Sequence, residues 1–375
     1  MHRAALPADS LADRPGRIAQ ARYALLRQGS LPAHAEIDPW IARSWQRCLA
    51  RGLQPTQRVV FDLVSAQALR RSQDENHHLL RAARPVLAQL VRAIAGMRYF
   101  ALLTDAHGTV VDVQGALDRH DPRARAIGRV GIDLSETAVG TTAIGAALTE
   151  LQPVWLHRGE HFFDDNGAYS CAGAPLFDPH GRCMGMLDLT GVDVPERPEL
   201  RHLVARSARA MEDALLLQRP HALLLRLNWP GSPLGGEGDG LLALDADGAV
   251  LGGNSAARQL LPQPLCPPGG PALHCSDLIA LPWTQLFDAA RQRSPAAPLD
   301  LPLWSGLRLQ GQACLPERGA AVQPPPPGAP RLRETEAALI RQAVLDARGN
   351  VAEAARALGI SRATVYRKLG GYKGR

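Results

Sequence analysis

Lysine is almost missing from this chain. Of 42 basic residues only Lys368 and Lys373 are lysines. A phosphate-binding loop of the GxxxxGK[ST] type needs a lysine behind a glycine-rich turn. Neither lysine occupies such a place, which excludes nucleotide hydrolysis of the Walker type. Six cysteines in 375 residues, with no CxxC pair, are too sparse for a disulfide scaffold, so reduced thiols are expected. No apolar run reaches the roughly 18 residues of a membrane span. Residues 1–17 are polar and lack an apolar signal core, so a cytoplasmic protein is expected, without a membrane partner.

What is present fits a folded, multidomain chain. Hydrophobic residues make up 46%, and the length predicts two or three domains. The net charge of +6 is unevenly placed. Residues 331–375 hold ten Arg and Lys against four acids, and the other 330 residues balance to zero. A basic nucleic-acid-binding end on a neutral body is the natural reading.

The pattern along the chain predicts a multidomain α+β protein. A helix is expected from Arg17 to Gln28. Another begins at Asp38-Pro39, an N-cap followed by proline at the first helical position, and ends at Gly52. A long helical pattern spans 65–94. Three segments then repeat one design: an apolar strand, Asp-x-x-Gly, and a second strand. The turns are Asp105–Gly108, Asp178–Gly181 and Asp245–Gly248. Asp opens such a turn through its side chain, and Gly accepts the positive φ that closes it. Helices are expected near 135–148 and 196–217. The predicted divisions are an N-terminal helical region 1–95, a sensor domain 96–218, a smaller domain 236–315, a proline-rich linker 316–330 and a DNA-binding domain 331–375.

The last segment carries the sharpest motif. Asn350 caps a helix with Ala354, Ala355 and Leu358 inside. Gly359-Ile360 makes the turn, and Ser361 caps the next helix. This is a helix-turn-helix pattern. Arg362, Thr364, Tyr366, Arg367 and Lys368 remain outward for base edges and phosphates. With the caps Asn350 and Ser361 they form the candidate set facing double-stranded DNA.

The run from Gly349 to Leu369 resembles the Fis-type domain that ends sigma-54-dependent activators. Ser44-Trp45 and Arg47-Cys48 resemble the N-terminal segment of acetoin-catabolism regulators (the AcoR type). Leu134–Glu136, Gly140–Leu148, Glu160–Phe162, Ser170-Cys171 and Gly185–Gly191 resemble the GAF sensor of that family, which more often has Asn where this chain has Thr142. Residues 241–261 are similar to a PAS domain. The resemblance implies a ligand-responsive, DNA-binding regulator whose effector is a short ketone, diol or alcohol. In the family an ATPase domain stands between sensor and DNA reader. Here the proline-rich linker occupies that place. An alternative role is therefore a motorless repressor or antagonist, or a mixed-oligomer partner of a full-length activator, with that relative or RNA polymerase as protein partner. A homodimer is expected, because two-fold DNA sites favour two-fold proteins.

His157-Arg-Gly-Glu160-His161 matches H-x-x-E-H, the pattern of a metal-dependent hydrolase. It follows a strand and contains Gly159, which speaks against the helix that motif needs. For effector contact the candidates are Thr141, Trp155, His161, Phe162 and Cys171, aromatic walls with a few polar groups. Cys171 and Cys183 are expected in or beside strands. No cofactor, catalytic residue or metal is implied.

Overall fold

The computed structural model describes residues 14–28, 37–261, 263–265, 273–292 and 298–316, with single positions between 344 and 355. Residues up to Pro316 form one compact unit, and residues 317–375 form another. The recognition-helix candidates Ser361, Arg362, Thr364, Tyr366, Arg367 and Lys368 lie outside the described residues.

The chain opens with α1 (Arg14–Gln28) and α2 (Pro39–Ala50). Pro39 stands at the start of α2 as expected, but Asp38 makes no side-chain cap. Its carboxylate instead accepts the Trp40 indole N–H at 3.3 Å. The expected long helix over 65–94 is two helices, α3 (Ala66–Glu75) and α4 (His77–Ala93). The break falls at Asn76, whose side-chain amide donates to the Ser72 carbonyl at 2.8 Å beside its own backbone N–H at 3.0 Å.

Next come β1 (Tyr99–Asp105), β2 (Val110–Gly115), α5 (Pro122–Ile127), α6 (Glu136–Val139) and α7 (Ala143–Glu150). The expected helix over 135–148 is thus also divided. Gly140 adopts φ 69° between the halves, a conformation few other residues enter. Thr142 restarts the helix by accepting from Gly145 N at 3.2 Å, the cap an asparagine would also provide. Then follow β3 (Val154–His157), β4 (Tyr169–Phe177), β5 (Cys183–Val192) and α8 (Leu200–Leu217). Pro195 and Pro198 precede α8, which starts later than the pattern near 196 suggested.

The five strands form one antiparallel sheet, in the order β2-β1-β5-β4-β3. One face packs against α4 and α8 through residues such as Leu79, Leu87, Leu103, Leu189, Val204 and Met211. The other packs against α1, α2 and α7 through Leu25, Trp45, Leu102, Ile144 and Met186.

A second antiparallel sheet follows: β6 (Leu223–Asn228), β7 (Gly240–Leu244), β8 (Val250–Gly253), β9 (Leu299–Pro302) and β10 (Arg308–Cys314). Helices α9 (Ser255–Leu260), α10 (Cys275–Leu278) and α11 (Trp283–Arg291) cover one face. Its order is β8-β7-β6-β10-β9. That is the first sheet's order with the strand sequence shifted cyclically by one place. The sheet therefore recruits β6, upstream of Gly236 where the sequence pattern put the domain's start. Pro220 before the run 223–228 and Pro230-Gly231 after it were the available signals.

All three Asp-x-x-Gly turns form alike. Asp105, Asp178 and Asp245 each accept two amide hydrogens with Oδ1, from the residues two and four positions on. Gly108, Gly181 and Gly248 take φ of 86–90°.

Candidate functional site

The chemistry-bearing groups of the first sheet gather on the face opposite α4 and α8. There Cys171 on β4 pairs with Thr190 on β5. Its thiol lies 3.5 Å from the Thr190 hydroxyl. That hydroxyl donates to Oδ2 of Asp188, two residues earlier on the same strand face. Asp188 is fully buried, and its Oδ1 has no hydrogen-bond partner among the described residues. Burial raises this carboxyl to about 7, against the pull of the Thr190 hydrogen bond. Burial also pushes the Cys171 thiol well up, so it stays protonated and unreactive.

A small cavity lies over these strands, about the size of one water molecule. Thr142, His161, Asn166, Cys171 and Thr190 give it polar walls, and Phe61, Ile127, Leu134, Ile144 and Tyr169 give it apolar ones. Asn166 donates to the Val139 carbonyl at 3.1 Å, and its buried Oδ1 has no partner among the described residues. His161 sets Nδ1 2.9 Å from the Arg158 carbonyl. Burial lowers its ring to about 4, so it is neutral at ordinary pH. Nδ1 then carries the proton, and Nε2 is left as an acceptor.

The loop that brings His161 here is held from outside. Arg22 of α1 donates to the carbonyls of Gly159, His161 and Phe162 and to Asp164. Trp45 of α2 donates to the Glu160 carbonyl at 2.9 Å. The Glu160 side chain accepts His157 N at 2.7 Å and pairs with Arg14 at 2.5 Å. Burial raises Glu160 to about 7 against the opposing effect of Arg14.

Two sequence motifs far apart in the chain meet beside the cavity. Glu136 is buried, and Arg47 grips it with two bonds of 2.8 Å. Arg51 reaches it at 3.2 Å, and Ser44 donates to it at 2.6 Å. Ser44 also lies 2.7 Å from the Thr141 hydroxyl, and Cys48 lies 3.7 Å from it.

The candidate residues thus separate. His161 and Cys171 line the cavity. Thr141 turns to α2, and its neighbour Thr142 takes the lining position. Phe162 is core, edge-on to Phe163 at 5.2 Å. Trp155 faces the other side of the sheet, because neighbouring strand positions alternate. It packs with the α4–α8 core and beneath Arg14, 4.5 Å from its ring. The sequence reading missed Thr142, Asn166, Asp188 and Thr190. An aspartate inside the apolar strand Met184–Leu189 was the available signal for Asp188.

The H-x-x-E-H residues share no helix face. Residues 158–160 form a single 3₁₀ turn. His157 bonds Ser170, and His161 and Glu160 are engaged as described. Among the described residues no group of three donors could hold a metal ion, and no helix is long and apolar enough to cross a membrane. In the C-terminal unit, Asn350 behaves as the cap the sequence predicts. Its Oδ1 accepts Glu353 N at 3.3 Å, and Ala355 is buried.

Two antiparallel sheets, one of them beneath a small, mainly apolar cavity, define a multidomain α+β protein. The family model described as MimR, N-terminal domain, matches residues 14–213, more than half of the chain, and the chain belongs to that family. The model described as bacterial regulatory protein, Fis family, matches residues 331–372. The acetoin catabolism regulatory protein of Cupriavidus necator is 32% identical over 252 residues, covering 65% of this chain and 37% of that protein. The propane 2-monooxygenase operon transcriptional activator MimR of Mycolicibacterium goodii is 32% identical over 212 residues, covering 56% and 34%. The resemblance to acetoin-catabolism regulators therefore holds. The chain spans about a third of the length of these relatives. Among solved structures, the E. coli DhaR(N)–DhaL complex aligns with a TM-score of 0.44 and 18% identity, over 73% of this chain and 98% of that one.

Proposed function

We propose that this chain is an effector-responsive, DNA-binding transcription regulator. The reading of the first sheet as a GAF-type sensor is carried by one observation: a small cavity bordered by Asn166 Oδ1, an acceptor without a partner among the described residues, with a second such polar atom, Asp188 Oδ1, buried on the same sheet face. Buried acceptors without partners cost free energy, and a ligand with hydroxyl hydrogens would relieve that cost. A short neutral alcohol, diol or hydroxyketone fits this chemistry. The cavity must widen to admit it, and α1 and α2, which hold the His161 loop, would register that movement. The second sheet is assigned a PAS-like role on its strand order, and the chain is assigned to a dimer on DNA.

Between α8 and the Fis-type module lie the second sheet and the proline-rich segment, without a phosphate loop. We therefore assign the chain no promoter-remodelling motor of its own. Occupation of an activator's site, or mixed oligomers with a longer relative, follows as its mode of control.

Arg362→Ala and Arg367→Ala are expected to weaken duplex binding by ~1–3 kcal/mol wherever the side chain reads a base. Titration of a labelled operator fragment measures this. Unchanged binding in both variants removes the recognition helix from its assigned role.

A further inference from the structure

The outer surface of α4 and α8 carries charge of one sign. The two helices lie side by side on the first sheet and run antiparallel. Arg81, near the start of α4, donates to Gln218 just beyond the end of α8 at 3.3 Å. Arg81, Arg84 and Arg92 project from α4, and Arg201, Arg206 and Arg209 from α8, all exposed. The two helices contain only two acids, Glu212 and Asp213, both turned into the seam with the second sheet. Acids stand only at the borders: Asp74 and Glu75 before α4, Glu199 before α8, and Glu237 paired with Arg206. Arg84, Arg92 and Arg201 form no ion pair or hydrogen bond among the described residues. On the opposite face Arg22, Arg43, Arg47 and Arg51 each hold a carboxylate. Residues 1–330 are neutral in sum, so this face reflects an internal separation of charge.

We propose that the α4–α8 face binds the phosphodiester backbone of duplex DNA without reading its sequence. Arg81 and Arg92 lie ~16 Å apart along α4 at 1.5 Å per residue. The second arginine row runs ~8–10 Å away on the neighbouring helix. Two such rows match the scale of a phosphate run over about five base pairs. A protein partner would ask for more. Protein interfaces are anchored by aromatic and large apolar side chains. Between these arginines the exposed residues on α4 are Pro85, Ala88 and Gln89. The proposal rests on the DNA-binding reading only in that both surfaces serve one ligand.

The test uses the full chain and a mixed-sequence duplex of ~40 base pairs, titrated by fluorescence anisotropy between about 50 and 200 mM salt. Combined Arg84→Gln, Arg92→Gln and Arg201→Gln should lower the slope of log K against log salt by roughly 2–3, about 0.9 for each lost phosphate contact. The matching triple lysine variant should keep the slope, and both should melt like the parent. An unchanged slope in a folded glutamine variant overturns the proposal, as does a parent chain that binds no duplex. Arg362→Ala with Arg367→Ala separates the two readings. If only those changes matter, the α4–α8 face fails and the recognition helix stands. If only the face variant matters, the reverse holds.

Discussion

Asp188 shows how one residue can set a site. It occupies a strand position where its neighbours Leu187 and Leu189 are core, and only Thr190 answers its charge. Its folded value of about 7 lies above the ordinary 3.8. Between these values the folded chain keeps a proton that the unfolded chain has released. Stability therefore falls as pH rises through that window, by at most ~1.4 kcal/mol per pH unit from this group. Asp188→Asn removes that slope, so its melting temperature relative to the parent should rise from pH 4 to 7. A constant difference across that range would contradict the buried, protonated carboxyl. Glu136 is the opposite case. It is also buried, but Ser44 and Arg47 of α2 and Arg51 just after it give its carboxyl oxygens hydrogen bonds.

Between elements, the join of the two sheets combines a small apolar cluster, Leu216 of α8 with Leu224, Leu241 and Ala243, with a few polar atoms. Asn254 caps α9 and uses its whole side chain. It accepts Leu241 N and Ala257 N at 2.9 and 2.8 Å, and donates to Asp213 and the Asp239 carbonyl at 2.7 and 2.9 Å. Glu212 accepts Phe177 N from β4 and Ser255 N from α9, both at 3.1 Å. The β4–β5 turn adds a backbone bond, Gly253 N to the Pro179 carbonyl at 2.9 Å. Asn254→Ala strands two buried amides, so a loss of ~3 kcal/mol is expected in denaturant unfolding. A loss under ~1 kcal/mol would mean the seam tolerates open hydrogen bonds.

For the whole molecule, charge and compactness divide at the same place. The first unit ends at Pro316, and the chain's net charge of +6 is concentrated in the last 45 residues. Removing residues 331–375 should leave a folded protein that no longer selects a specific DNA sequence. Circular dichroism would report the fold, and competition between operator and random duplexes would report selectivity. Retained selectivity would move the DNA reader elsewhere in the chain.

The three Asp-x-x-Gly hairpins, the cap at Asn350 and the basic C-terminal end were legible in the sequence. Each depends on residues a few positions apart, where a side chain reaches its own backbone or charges simply add. The breaks at Asn76 and Gly140 were less legible, because helical periodicity continues through them in composition. What faces the cavity was legible only for His161 and Cys171. Trp155 pairs with Ala172, the neighbour of Cys171, and looked equally suitable, but strand alternation sends both Trp155 and Ala172 to the other side of the sheet. The meeting of Ser44 and Arg47 with Glu136 spans about ninety positions, and only packing brings those groups together. The near-absence of lysine determined from the outset that no phosphate loop lies here. The tertiary structure decided which arginines are spent on buried carboxylates and which remain exposed, since pairing depends on what the fold places within reach.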